Sequence, residues 1–330
     1  MTARGTLERR EIVLLRISDA DGVTGLGEAV PLSLRGGASL KSVFTEITDW
    51  AQAQVDARDG LIPLPASSAS RCAVLTALAD LEARRAGLPL HELLSPGVKA
   101  VPVACNATLT TDSPEGVLAQ AEGWAADGFT VFKLKLGSAH DVGQVRAVRD
   151  GLGDEVAIRL DANASWSLDQ ASRILSEVEP LAIELVEQPV ENLDEMAALR
   201  KRTHIPVVAD ESVSDSDEAE RASRLSACDA ITVKLSKIGS LDVRLGGFLP
   251  TYLSSALDGP VGIAAAAHAA QSLPRHGVWA TVSHGLATER LFSETIADQG
   301  KLLDGPLLPV PPGDGLGISI DERALTSLRL

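Results

Sequence analysis

Past Val101 the chain changes rhythm, and short β-rich apolar runs alternate with amphipathic stretches. The runs are VPVACNA (101–107), VFKLKL (131–136), VAIRLDA (156–162), AIELVEQ (182–188), IPVVAD (205–210), DAITVKL (229–235), TYLSS (251–255) and GVWATVSH (277–284). Between them, apolar positions at helical spacing predict helices over 114–127, 141–152, 167–178, 193–202, 214–225 and 264–273. Eight such runs predict a closed parallel (β/α) barrel of the TIM type over 101–304. Ahead of it, EIVLLRI (11–17), the turn DADG (19–22) and VTGLGEAV (23–30) read as an antiparallel hairpin, because Asp-Gly between strand-like runs supplies a tight turn. Helices are predicted next over 40–57 and 69–85, giving an α+β unit across residues 1–100. After Gly305 the rhythm stops, and GDGLGISID (313–321) reads as one more strand, in a segment 305–330 that returns to the N-terminal unit.

Five charged residues fall on this rhythm at nearly even intervals. Lys135, Asp161, Glu187, Asp210 and Lys234 stand 26, 26, 23 and 24 residues apart. That is about what one strand, one helix and two short loops consume, so each charge closes a strand at an equivalent point. In a parallel barrel those C-terminal strand ends form the mouth where catalytic groups gather. Asp161, Glu187 and Asp210 are three hard oxygen donors on consecutive strands, a set suited to Mg²⁺ with Mn²⁺ as an alternative ion. One such acid often does no more than cap the following helix. Three in matched phase, with a cation on each flank, point to a metal.

Lys133 and Lys135 are two apart in a strand, so both face the same way, Lys133 one layer deeper. Alternation in AITVKLSKIGS groups Thr232, Lys234 and Ser236 on one face and leaves Lys237 opposite or in the loop, which favours Lys234 over Lys237. Metal beside opposed lysines suits removal of a proton next to a carboxylate: the metal takes the charge that builds on the oxygens, and a lysine takes the proton.

Composition narrows the partners. At 330 residues with 45% hydrophobic and 23% charged, the chain can bury a sizeable core. A net charge of −15 without a basic block argues against nucleic acid and anionic membranes. No signal peptide or membrane span is read from the sequence, and Cys72, Cys105 and Cys228, widely spaced with no CxxC, fit buried structural thiols in a reducing cytoplasm. His268, in an Ala-rich helical stretch, reads as packed, whereas His276 and His284 flank the last run, where His284 can reach substrate. GLGE and DGLG are too short for a nucleotide loop, and GxxxxGK[ST] is absent. The partner expected is a small carboxylate, with oligomeric state left open.

The motifs that carry these charges resemble the enolase superfamily over nearly the whole chain. They are Lys133-Leu-Lys135, Asp161-Ala-Asn163 with Trp166, Glu187-Gln-Pro189, Ala209-Asp210-Glu211-Ser212 and Lys234. Enolase-superfamily sites use a Lys or His base with Mg²⁺ to stabilise an enediolate, a mechanism that comes with the resemblance and not from the spacing. Carried over, Asp161, Glu187 and Asp210 bind Mg²⁺ and Lys135 and Lys234 are the acid/base pair. Lys133 lowers the pKa of Lys135, and Asn163 and Glu211 orient the ligands and lysines. The resemblance also implies that the N-terminal unit caps the barrel mouth, with a loop around Pro31 to Gly37 closing over substrate.

Within the superfamily, TYLSSALDGPVGIAAAAHAA (251–270), HGLATERLF (284–292), GDGLGISID (313–321) and the segment ending in Arg10-Glu11 resemble the o-succinylbenzoate synthases of menaquinone biosynthesis. That implies a lyase performing syn dehydration of 2-succinyl-6-hydroxy-2,4-cyclohexadiene-1-carboxylate. Ser254, Ser255 and Gly262 would hold the succinyl tail. Dipeptide-epimerising relatives commonly carry Asp-x-Asp on the last barrel strand, and VWATVSHGL has none. Lys234-Leu-Ser-Lys237-Ile-Gly239 in place of Lys-Pro-Ser brings the chain nearer to muconate cycloisomerases and amino-acid racemases, so N-succinylamino acid racemase is the alternative activity. A catalytically silent barrel acting as a binding protein is the alternative of another class.

Overall fold

A computed structural model describes residues 9–31, 37–56, 62–111, 113–274 and 277–329. Its first layer is the hairpin β1 (Val13–Ser18) and β2 (Thr24–Ala29), packed on helices α1 (Leu40–Asp56) and α2 (Ser68–Ala86). Gly25 and Gly27 let β2 lie flat on α2. A Cβ at either position would stand 2.1 Å from the Ala77 carbonyl or 1.9 Å from that of Ala73. The GLGE pair therefore serves packing. A short helix α3 (Leu90–Leu94) leads out of this layer.

A short strand β3 (Val103–Ala104) precedes the barrel, which follows as β4 (Ala107–Leu109), α4 (Pro114–Ala126), β5 (Val131–Lys135), α5 (Asp141–Leu152), β6 (Ala157–Asp161), α6 (Leu168–Val178), β7 (Ile183–Glu187), α7 (Leu193–Leu199), β8 (Val207–Ala209), α8 (Ser216–Leu225), β9 (Ala230–Val233), α9 (Leu235–Ile238), β10 (Thr251–Leu253) and α10 (Pro260–Ala270). Seven strands pair in parallel in the order β10-β9-β8-β7-β6-β5-β4. The ring closes through residues 284–285. His284 exchanges backbone bonds with Ala104 and Asn106 (2.7 and 2.9 Å), and Gly285 with Leu253 and Ser255 (2.8 and 3.1 Å). The eighth run is thus two single-residue bridges, His284 with Cys105 and Gly285 with Ser254, and not the strand predicted over 277–284. Gly277 takes φ +77° and Val278–Thr281 turn as a 3₁₀ helix, with Val278 exposed.

Strand alternation sorts the side chains. Phe132, Leu134, Ile158, Leu160, Val186, Val207, Ala209, Ile231 and Val233 point outward into the layer shared with the helices. The opposite phase of the same strands faces inward, where Leu185, Val208, Ala230 and Tyr252 pack together with Trp279 and Val282. Inward phase also belongs to the five charges of the spaced series.

Other departures are local. The Ala-rich helix begins at Pro260, four residues before the predicted start, because Pro at its first turn has no N–H to leave unpaired. Helix α7 stops at Leu199 and not at 202. GDGLGISID is no strand: Gly313, Gly315 and Gly317 all hold positive φ, and only isolated bridges form, Pro89 with Gly315 and Ala297 with Ile320. This segment still reaches the first layer, where Asp80 of α2 accepts from the Leu26 and Leu316 N–H groups at 2.8 and 2.6 Å. A short strand β11 (Leu307–Leu308) pairs antiparallel with β3, and α11 (Glu322–Leu328) ends the described chain. No helix among the described residues is long and apolar enough to cross a membrane. Cys72, Cys105 and Cys228 are free and buried, their thiols pushed up to about 12, first by burial.

A buried histidine, a half-buried one and a buried acid give stability a definite pH profile. His268 packs as read from the sequence, its Nδ1 accepting from the His91 N–H at 3.1 Å. Burial lowers both His268 and His284 to about 4. Burial, and then the neighbouring Asp258 carboxylate, pushes Glu28 up to about 8. As pH falls from the ordinary histidine value of 6.5 toward 4, the unfolded chain binds two protons that the folded chain refuses, so stability falls. Between 4.5 and 8 the folded chain instead holds a proton on Glu28 that the unfolded chain releases, so stability falls as pH rises through that range. Two opposed by one below 6.5, and one alone above it, place a maximum near pH 6.5 from these groups. Thermal unfolding from pH 5 to 8.5 should show it, and Glu28→Gln should flatten the alkaline limb. An unchanged alkaline limb in that variant would contradict the assignment.

Candidate active site

Backbone register builds the site. Lys135 pairs with Asp161 across β5 and β6, and Asp161 with Glu187 across β6 and β7, so three of the five charges lie in one row. A one-residue shift makes this possible. Ile158 pairs with Ile183 but Arg159 with Leu185, so Glu184 is the extra residue of a bulge. Without the shift Asp161 would face Val186, and Glu187 would point into the helix layer. Displaced Glu184 accepts from Arg159 Nε at 2.5 Å, which neutralises a guanidinium buried below the site. Asp210 follows β8, in phase with inward Val208.

All three carboxylates are fully buried, and four ammonium groups meet them. Lys133 Nζ lies 2.8 Å from Asp161 Oδ2 and 2.7 Å from both oxygens of Glu187. Lys135 contacts Asp161 Oδ2 as well, and its Nζ donates to Asn163 Oδ1 at 3.1 Å. Asn163 Nδ2 in turn donates to Glu211 Oε1 at 3.0 Å. Lys234 contacts Asp210 Oδ2. The Lys135 side chain is 20% exposed against 5% for Lys133 and for Lys234, so Lys135 is the member of this trio most open to the mouth.

Electrostatics follow from this crowding. Burial favours a neutral Lys133, but Asp161 and Glu187 outweigh it and raise its pKa, so it stays an ammonium. Burial opposes ionisation of Asp161 too, and Lys133 and Lys135 together hold it well below the usual carboxylate range. Glu187 is raised, chiefly by burial.

Three contributors lie outside the expected set. Lys237, which strand alternation set aside, also reaches Asp210, its Nζ 2.9 Å from Oδ1 and 2.6 Å from the backbone carbonyl. The strand ends at Val233 and α9 starts at Leu235, so helical spacing returns Lys237 to the side of Lys234. Gln188, at φ +38°, accepts the Asp210 and Ser212 N–H groups on Oε1 at 2.9 and 3.1 Å and so fixes the turn that presents Asp210. Tyr252 donates its hydroxyl to Glu187 Oε2 at 2.8 Å. Burial, then Glu187, pushes that phenol well above its ordinary value, which keeps it a donor.

The other expected residues lie at the same end. Ser254 is buried beside Gly285. Ser255 Oγ donates to Asp258 Oδ2 at 2.7 Å, and Gly262, in the first turns of α10, lies against the Glu28 carboxyl. His284 Nδ1 accepts from the Leu253 N–H at 2.9 Å, which ties it into ring closure. Residues 32–36 of the expected closing loop and His276 lie outside the described residues. At the loop's start, the Pro31 carbonyl accepts from Arg10 at 2.8 Å. Among the described residues no three His, Cys, Asp or Glu side chains gather around one point; ammonium groups bridge the carboxylates instead. The donor chemistry nevertheless fits a hard divalent cation, with three buried carboxylates on consecutive rigid strands.

Known proteins resemble this chain in sequence and in fold. Residues 116–324 match the enolase C-terminal domain-like family, and residues 1–95 match the mandelate racemase / muconate lactonizing enzyme N-terminal domain. Muconate cycloisomerase 1 of Acinetobacter baylyi is 31% identical over 98% of this chain and 93% of its own. The o-succinylbenzoate synthase of Thermobifida fusca is 34% identical over 63% of this chain and 64% of its own. The substrate-liganded L-Ala-D/L-Glu epimerase of Bacillus subtilis superposes with a TM-score of 0.85 at 28% identity, covering 96% of this chain and 93% of that one. With both halves of the chain matched and relatives aligned along almost all of it, the protein belongs to the enolase superfamily.

Proposed function

We propose that the protein is an o-succinylbenzoate synthase, a Mg²⁺-dependent lyase that dehydrates 2-succinyl-6-hydroxy-2,4-cyclohexadiene-1-carboxylate. The observation that carries the proton chemistry is the row of buried carboxylates with Lys135 on its first member and Lys234 on its last. Asp161, Glu187 and Asp210 would hold Mg²⁺. When bound, Mg²⁺ would supply positive charge against the substrate carboxylate as its α-proton leaves. Lys135, the more open of the two lysines, takes that proton, and the C–H electrons move into the carboxylate. Lys234 balances the resulting negative charge from the Asp210 side. The C–O bond then breaks, the hydroxyl leaves with the proton carried by Lys135, and the products are water and an aromatic ring. Asn163 and Glu211 orient Lys135 through the hydrogen-bonded chain described above.

Substrate choice rests on two supports. The Thermobifida fusca synthase is 34% identical over 63% of this chain. The ring-closing segment Ser283-His284-Gly285-Leu286 also carries no carboxylate to receive an α-ammonium group. Purified protein with Mg²⁺ should remove the ultraviolet absorbance of the cyclohexadiene. Persistence of that absorbance would refute the dehydratase reading.

A racemase or epimerase reading has its own support, since lysines at both ends of the carboxylate row suit two-base proton exchange. It predicts deuterium entering the α-carbon of an N-succinylamino acid in D₂O. Absence of exchange across a panel of such substrates would remove it.

A further inference from the structure

We propose that Tyr252 is a positioning residue that fixes Glu187 for metal binding, an inference that rests on the Mg²⁺ reading above. Tyr252 is the chain's only tyrosine. It sits mid-strand on β10, three strands away from β7 around the ring, yet its hydroxyl reaches Glu187 Oε2 at 2.8 Å. The ring is clamped. It is 2% exposed, packs against Leu185, Val208 and Ala230, and has the Arg159 guanidinium 5.5 Å from its centroid. Arg159 is itself held by Glu184, by Asn106 at 3.3 Å and by the Ser283 carbonyl at 2.5 Å. A rigid ring on a rigid strand can aim a hydroxyl, whereas a flexible lysine cannot.

Geometry also separates this bond from the one that Lys133 makes. Lys133 donates to both oxygens of Glu187 and equally to Asp161, so it compensates charge without choosing between the two oxygens of Glu187. Tyr252 donates to Oε2 alone. That neutral donor fixes the rotation of the carboxyl group and leaves Oε1 with the greater acceptor capacity. Outer partners of metal-ligating carboxylates act in this way, and losing one costs about 10- to 100-fold in metal affinity.

Tyr252→Phe keeps the ring and removes only the hydroxyl. Calorimetric titration of the full chain with Mg²⁺ should show a dissociation constant raised by about tenfold or more relative to wild type. The sole tyrosine supplies a second readout. With ¹³Cζ-tyrosine incorporated, wild-type protein has one phenolic resonance, and Mg²⁺ should shift it. Equal Mg²⁺ affinity in wild type and Tyr252→Phe, or a resonance indifferent to Mg²⁺, would overturn the inference alone. No Mg²⁺ binding by wild type would overturn the metal reading together with it. A variant that fails to fold leaves the resonance in wild-type protein to decide.

Discussion

Lys135→Ala is expected to lower turnover by about 10³-fold, the usual contribution of a positioned proton-transfer group. The expectation is specific to chemistry because the structural cost should be small. Lys135 is one of two cations on Asp161, and Lys133 remains 2.8 Å away when it is removed. Asp161 keeps Lys133 as its partner, so the loss on thermal unfolding should be smaller than that of removing Lys133. An unchanged steady-state rate in a folded Lys135→Ala variant would remove this residue as the base.

Lys133→Met should show the reverse balance. Lys133 is 4% exposed and bridges Asp161 to Glu187. Removing one partner of a buried charge pair costs about 3–5 kcal/mol, because the other charge stays behind. Here two carboxylates stay behind. The metal-free variant should therefore unfold at a markedly lower temperature, and added Mg²⁺ should raise its midpoint more than it raises that of wild type. Calorimetry with chelator and with Mg²⁺ checks both halves. A variant as stable as wild type under chelator would contradict the bridging role.

The contrast between the two lysines shows what the sequence could convey. Each β/α unit repeats a period of two within the strand, so the inward phase of Lys133, Lys135, Asp161 and Lys234 was readable from single runs. Glu187 was readable only from spacing. AIELVEQ holds Glu184 and Glu187 three residues apart, hence on opposite faces, and the register shift against β6 decides which one enters the barrel. Such a shift is a property of two strands together. Lys237 was set aside because alternation was carried past Val233, where the strand has already given way to a helical turn. Tyr252 gives no local signal at all, since its partner lies 65 residues earlier in the chain. The eighth run misled in the other direction: its apolar residues suggested a strand, and Val278 stands 82% exposed while two residues close the ring.

In the proposed reaction this row of charges removes a proton from the carbon next to a carboxylate with the help of Mg²⁺. Its most direct test follows that hydrogen. Wild-type protein in D₂O would be given the cyclohexadiene carboxylate and, separately, an N-succinylamino acid, with Mg²⁺ or with chelator, and the α-hydrogen resonance read by ¹H NMR. That resonance should be lost from the cyclohexadiene as 2-succinylbenzoate forms, and only with Mg²⁺. Retention of the α-hydrogen in both compounds, or loss that continues under chelator, would contradict the proposed reaction.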